Sequence, residues 1–273
     1  MTIASRSSFP RKMVVYSAII DDYDVPLPPR RLNPAFDYIL LSNTAMKAHG
    51  WTVRPLPEPA RGLSSSDANR WCKMFAHEIF PEYDYSVYLD GNMRSVGELE
   101  ILLNEFITSG AEIGLFKHPA RRTVSEELIA LCASDRFTSE EKLAMAAQAA
   151  RYKNELPPDS GIPLSENGVI FRRHVSPHLS DAMSLWWQEF RHGSKRDQLS
   201  LPWVLKKIPL QVHRWGWSFR KPNPYFIHMP HLHTKQRTKL SIARYYLSMH
   251  RKTLRNQVRR YLSNRRKTRA TDA

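Results

Sequence analysis

Cysteine is scarce in this 273-residue chain: Cys72 and Cys132 are the only two, 60 positions apart. Two such thiols make neither a zinc site nor a disulfide framework, and a reducing compartment is the simpler reading. No run approaches the ~18 consecutive apolar residues of a membrane span. Residues Met1 to Lys12 carry charge but no apolar core segment, which does not suit a secretory signal. A cytosolic location is expected, with the cytosolic face of a membrane as one setting. The glycine-rich phosphate loops G-x-G-x-x-G and G-x-x-x-x-G-K-[ST] are both absent. Their absence counts against a dinucleotide oxidoreductase and a P-loop ATPase. Acidic residues are missing from a long stretch: no Asp or Glu stands between Asp197 and Asp272.

What is present fits a folded protein. Hydrophobic residues make up 42% of the chain and charged residues 25%, near the globular average. A chain of this length holds one large domain or two small ones and builds a core without staples. The net charge of +15 is unevenly spread. Residues 235–273 hold 13 Lys/Arg against the single acid Asp272, or +12, which leaves +3 for the other 234 residues. The chain is therefore read as a body, 1–234, and a basic tail, 235–273.

The tail has a helical pattern. Leu240, Ala243, Leu247, Leu254, Val258 and Tyr261 recur at spacings of three, four or seven. Three readings compete for this basic amphipathic helix. It lies on an anionic membrane surface, it binds nucleic acid through phosphates, or it docks its stripe on the body. The stripe disfavours a purely electrostatic nucleic-acid arm, because phosphate binding does not need it.

Within the body, apolar β-branched runs at Lys12–Ile20, Asp37–Ser42, Gly50–Arg54, Tyr85–Leu89, Glu112–Lys117 and Gly168–Arg172 predict strands. Helical spacing predicts helices over Asn69–Phe80, Val96–Ser109, Ser139–Glu155, Ser180–Phe190 and Asp197–Lys207, with Pro157 closing the third. Alternating strands and helices indicate an α/β sheet.

Four segments carry chemistry. Val87-Tyr88-Leu89 runs straight into Asp90-Gly91-Asn92. Ligands of open α/β sheets bind beyond the carboxyl ends of strands. Asp90 there suits a divalent cation or a ribose hydroxyl, Asn92 adds an oxygen, and Gly91 permits close approach of a ligand. An ordinary Asp-Gly turn is the plainer alternative. Lys117-His118-Pro119-Ala120-Arg121-Arg122 follows another strand and suits an anionic or sugar ligand, or forms a surface loop paired to Glu126 and Glu127. Arg196-Asp197-Gln198 places a cation, a base and an amide at a helix start, where Asp197 is also a natural N-cap. His228, His231 and His233 can ligate a metal, or form an exposed loop. Trp215 and Trp217 suit sugar stacking, or the core.

Taken in order, VVYSAIIDDYD, NRWCKMFAHEIFPEYDYSVYLDGNM, FKHPARRTVSEE, SENGVIFRRH and SKRDQLSLPWVL resemble a glycosyltransferase-like family once counted as a domain of unknown function. Its members include plant proteins linked to seed mucilage and bacterial proteins encoded among polysaccharide genes. The resemblance covers roughly residues 12 to 215. It implies an α/β fold of the GT-A type, with a Rossmann-like half for a nucleotide sugar. It further implies that Ser17, Asp22 and Tyr23 meet the nucleoside, and that Arg70 and Lys73 face the diphosphate. Asp90-Gly91-Asn92 stands where GT-A enzymes carry Asp-x-Asp, with Asn in place of the second acid. Asp90, Asn92 and His228 or His231 are then the expected holders of Mn²⁺ or Mg²⁺. His118, Arg121 and Asn167 line the sugar site. Asp197, flanked by Arg196 and Gln198, stands where an inverting enzyme places its base.

The expected function is sugar transfer from a nucleotide donor to a polysaccharide or lipid-linked glycan, at the inner face of a membrane held by the tail. The alternatives are a nucleic-acid-binding protein with a basic arm, a metal hydrolase using Asp90 and the histidines, and a catalytically silent scaffold.

Overall fold

The computed structural model describes residues 12–155, 163–232 and 238–271. Pro157, His233 and the expected boundary at 234 lie outside these. The expected α/β class is observed. The body is built on a seven-stranded mixed sheet made of β1 (Met13–Ile19), β2 (Phe36–Ser42), β3 (Thr52–Pro55), β4 (Tyr85–Leu89), β6 (Ile113–Lys117), β7 (Ser165–Arg173) and β8 (Val212–Trp215). A short antiparallel pair, β5 (Met93–Ser95) and β9 (Phe226–His228), stands apart. The order in the large sheet is β3-β2-β1-β4-β7-β6-β8. Only β7 runs against its neighbours. The carboxyl ends of β1, β4 and β6 therefore meet the amino end of β7 on one edge, where a ligand site belongs.

The helices are α1 (Ser65–Met74), α2 (Ala76–Ile79), α3 (Leu99–Thr108), α4 (Val124–Cys132), α5 (Ser139–Glu155), α6 (Leu179–His192), α7 (Asp197–Lys207) and α8 (Lys239–Thr271). Side chains leave a strand on alternate faces, so β1 feeds two cores. Val14, Tyr16 and Ala18 pack with α1, α2, α6 and α7, whereas Val15 packs with α3 and the aromatics Phe171, Trp215 and Phe219.

Three differences from the sequence reading have physical causes. The helix expected over 69–80 breaks at Phe75. The carbonyls of Cys72 and Lys73, which a continuing helix would use, accept instead from the Tyr16 hydroxyl and the Arg172 guanidinium. The segment after His118 is not simply a surface loop. The Thr123 hydroxyl accepts from the Glu126 amide and starts α4. β5, β8 and β9 are too short for periodicity to announce, and they form by pairing with distant partners.

α8 does dock on the body, but not through the stripe read from the sequence. Tyr245 and Met249 are buried with Leu27, Val96, Ile227 and Met229. Leu240, Leu247, Leu254, Val258 and Tyr261 are all more than half exposed.

Candidate active site

The site is organised around Lys73, an ammonium only 2% exposed. Lys73 lies in the last turn of α1, which Ser64 caps by accepting from the Asp67 amide. The Arg172 and Tyr16 bonds to the helix end fix where its side chain starts. Lys73 Nζ then donates to Asp197 Oδ2 at 2.8 Å and sits 3.4 Å from Asp90 Oδ1. Arg70, one turn earlier, brings its Nε within 3.8 Å of Asp197 Oδ1. Two cations and two carboxylates from α1, α7 and the end of β4 thus meet at the ligand-binding edge. Burial alone would raise both carboxyls, but Lys73 and Arg70 outweigh it and hold both below the usual aspartate range.

Asp90 is held from behind. Its amide donates to the Gly168 carbonyl at 2.8 Å. A Cβ on Gly168 would come within 2.9 Å of both Asp90 Oδ2 and the buried Phe219 ring. Gly168→Ala is therefore expected to cost about 1–3 kcal/mol by overpacking and to displace the Asp90 carboxylate. Denaturant midpoints alongside nucleotide titration check both effects.

Gly91 answers to a different neighbour than expected. A Cβ there would meet Ile19 at 3.0 Å and Asp24 Oδ2 at 3.3 Å, so glycine makes room for Asp24. Asp24 is buried, and its Oδ2 lies 2.8 Å from His231 Nδ1. This bond raises the His231 pKa. Sequence reasoning gave Asp24 no role; the only signal was its place among the acids just after β1.

Asn92 lies between the two rings. Its Nδ2 donates to the Met229 carbonyl at 2.7 Å and stands 3.2 Å from His228 Nε2 and 3.4 Å from His231 Nε2. Burial lowers the His228 pKa to about 4, which leaves that ring neutral. The sequence expected these histidines in a loop, but His228 is on β9. The donor types of Asp90, Asn92, His228 and His231 suit a Mn²⁺-like ion. Their placement is looser: among the described residues no three His, Cys, Asp or Glu side chains converge to hold a metal ion.

The remaining expected residues divide. The Ser17 hydroxyl is buried on β1 without a hydrogen-bond partner. Asp22, in the left-handed region at φ 52°, accepts from Thr44 at 2.7 Å, and the Tyr23 ring lies 5.3 Å from that of His231. The Arg70 guanidinium acts on the Tyr23 hydroxyl, whereas Asp22 faces Thr44. Asn167 is buried, its Oδ1 accepts from Ser165, and its Nδ2 has no hydrogen-bond partner. Gln198 is buried on α7 and donates to the Ser165 carbonyl at 3.3 Å.

His118 and Arg121 are not in the charged cluster. His118 Nδ1 accepts from the Arg121 amide at 2.9 Å, and burial lowers its pKa to about 4. It lines a separate cavity of about 600 Å³ with Lys117, Trp217, Lys221 and Tyr225. The guanidinium of Arg121 is committed to Glu127 and to the His118 ring. Arg196, not the Asp197 the sequence suggested, holds the N-cap position of α7, without a side-chain cap bond; its guanidinium lies over the Phe137 ring at 5.3 Å and helps hold the Asp197 carboxyl low. Arg172, fully buried, was missed as a positioning residue. An arginine inside an apolar strand was the available signal.

The family model described as TOD1/MUCI70, glycosyltransferase-like domain, matches residues 65–220, more than half of the chain. The "Probable hexosyltransferase MUCI70" of Arabidopsis thaliana is 30% identical over 151 residues, 52% of this chain and 25% of that protein. The chain thus spans about a quarter of the length of that curated relative. Among solved structures, mouse xyloside xylosyltransferase 1 aligns with a TM-score of 0.47 and 14% identity, covering 74% of this chain and 84% of that one. The bifunctional glycosyltransferase WbbM aligns with a TM-score of 0.49 and 15% identity, covering 78% and 40%. The matched segment carries Arg70, Lys73, Asp90 and Asp197 together, and the chain belongs to the TOD1/MUCI70 glycosyltransferase-like family.

Proposed function

We propose that the chain is a GT-A-like glycosyltransferase that moves a hexosyl or related sugar from a nucleoside-diphosphate donor to a glycan acceptor. The observation that carries this reading is the Lys73–Asp90–Asp197–Arg70 cluster at the carboxyl edge of β1 and β4. Lys73 and Arg70 supply two preorganised positive charges where a leaving diphosphate needs them. Asp22, Tyr23 and the spare Ser17 hydroxyl bound the nucleoside side. The cavity beside His118, with Trp217 and Tyr225 stacked at 5.9 Å between ring centres, offers aromatic faces to an acceptor sugar.

Asp197 is the proposed base. In the free protein it is too acidic to take a proton, because Lys73 and Arg70 neutralise it. A bound diphosphate shares those cations and adds negative charge nearby. Both effects raise the Asp197 pKa once donor is present. Asp197 then removes the proton of the acceptor hydroxyl, which attacks the anomeric carbon while the nucleoside diphosphate leaves. Asp90 and His228 would hold a divalent cation, which would neutralise further diphosphate charge; Asn92, whose amide nitrogen faces the two rings, is not among its donors.

Thermal stability against a panel of nucleoside diphosphates and nucleotide sugars tests the donor site. Ligand at 100 times its Kd adds about 2.7 kcal/mol. A shift with one base series is expected to persist in EDTA, since Lys73 and Arg70 are the protein's own charges. Mn²⁺ is expected to enlarge it, and Asp90→Asn to remove that increment. No shift with any nucleotide would overturn the reading in favour of a silent scaffold.

A further inference from the structure

α8 is a helix with two working faces. One face binds the body: Tyr245 and Met249 are buried, Thr253 accepts from Arg94 at 3.0 Å, Lys252 donates to the His228 carbonyl at 2.9 Å, and Asn256 donates to the Phe226 carbonyl at 3.2 Å. At ~100° per residue the opposite face carries Leu240, Leu247, Leu254 and Val258. These are 60%, 62%, 61% and 51% exposed. Arg244, Arg251, Arg255 and Arg259 run along one side of this stripe and are exposed. No acidic residue occurs anywhere in the helix.

We propose that this outward face lies on an anionic lipid surface, with the leucines in the acyl boundary and the arginines on lipid headgroups. An apolar stripe lined along one side by arginines, on a helix without an acid, is the pattern of an interfacial helix. Charge complementarity selects an anionic surface over a neutral one. A second copy of the chain fits poorly. The leucines repeat every seven residues, but two of the three positions three residues on, His250 and Gln257, are polar, and the third is only the small Ala243. Two such helices would also set arginine against arginine. Nucleic acid would use the arginines and leave the leucines without purpose.

The docking face gives this placement a consequence. Lys252 and Asn256 bind the backbone of β9, the strand that carries His228. A membrane-bound α8 would hold β9 and His228 near the lipid, which suits a lipid-linked acceptor.

The test uses the full chain and cosedimentation with vesicles of phosphatidylcholine alone or with added phosphatidylglycerol. Anionic vesicles are expected to bind at least about tenfold more tightly, with binding that weakens as salt rises. The double variant Leu247→Glu/Leu254→Glu is expected to lose about tenfold or more of that affinity. Its thermal midpoint should be unchanged, because both positions are exposed. Equal binding to both vesicles, or undiminished binding by the variant, overturns the proposal. So does dimerisation that the same variant abolishes, or tighter binding to RNA that it leaves intact. Vesicle binding is independent of sugar transfer, so failure of one reading leaves the other standing.

Discussion

Asp197→Asn is expected to lower the rate of sugar transfer by about 10²–10⁴-fold, the usual contribution of a general base. Donor affinity should move the other way or stay level. The variant removes the internal anion that occupies Lys73 at 2.8 Å and Arg70 at 3.8 Å, so both cations are freer to meet a diphosphate. Single-turnover rates with isothermal titration of the nucleoside diphosphate separate the two effects. Loss of rate and affinity in the same proportion would make Asp197 a binding residue and end its candidacy as base. Stability carries an independent signature. Asp197 has a native pKa below its ordinary value of 3.8, so its ion pairs stabilise the fold above that value. The contribution fades as pH falls towards the lowered native pKa. The stability gap between wild type and Asp197→Asn should therefore be open at neutral pH and close in acid.

Lys73→Met is the more drastic change. It removes the ammonium between two carboxylates and leaves Asp90 and Asp197 to repel each other in a partly dehydrated site. Breaking a buried pair from one side costs about 3–5 kcal/mol, and the donor-dependent thermal shift should vanish. A variant that merely fails to fold would be uninformative alone, so Lys73→Met/Asp197→Asn is the partner experiment. Neutralising the second carboxylate relieves the repulsion and should recover much of the stability. It should not recover donor binding, since the cation is still absent. Recovery of both would show that Lys73 serves only to hold the fold together.

Legibility differed from residue to residue, for physical reasons. Strands β1, β2, β4 and β6 were readable within about a residue, because a buried sheet needs short apolar β-branched runs. α7 was readable to its ends, since its acidic first residue and its terminal lysines mark both ends of the dipole. Asp90 was readable as a candidate because it directly follows such a strand. Arg70 and Lys73 came from the family resemblance; their spacing by itself suggests only the polar side of an amphipathic helix. Asp24, Arg172 and the break at Phe75 were not legible. Each depends on a bond to a residue far along the chain: Asp24 to His231, Arg172 to the end of α1, and the break to Tyr16.

The sequence alone determined the α/β class, the separation of charge between body and tail, and the family, since each rests on local pattern or motif order. Only the tertiary structure decided which charges meet and which face of α8 is spent on the body. His118 and Arg121 read as well as Lys73 and Asp90 did, yet Arg121 is committed to Glu127, while Lys73 is pressed between two carboxylates. The reason is distance. A local pattern reports neighbours within a turn or two, whereas Lys73 and Asp197 are 124 residues apart and meet only because the sheet brings their helices to one edge.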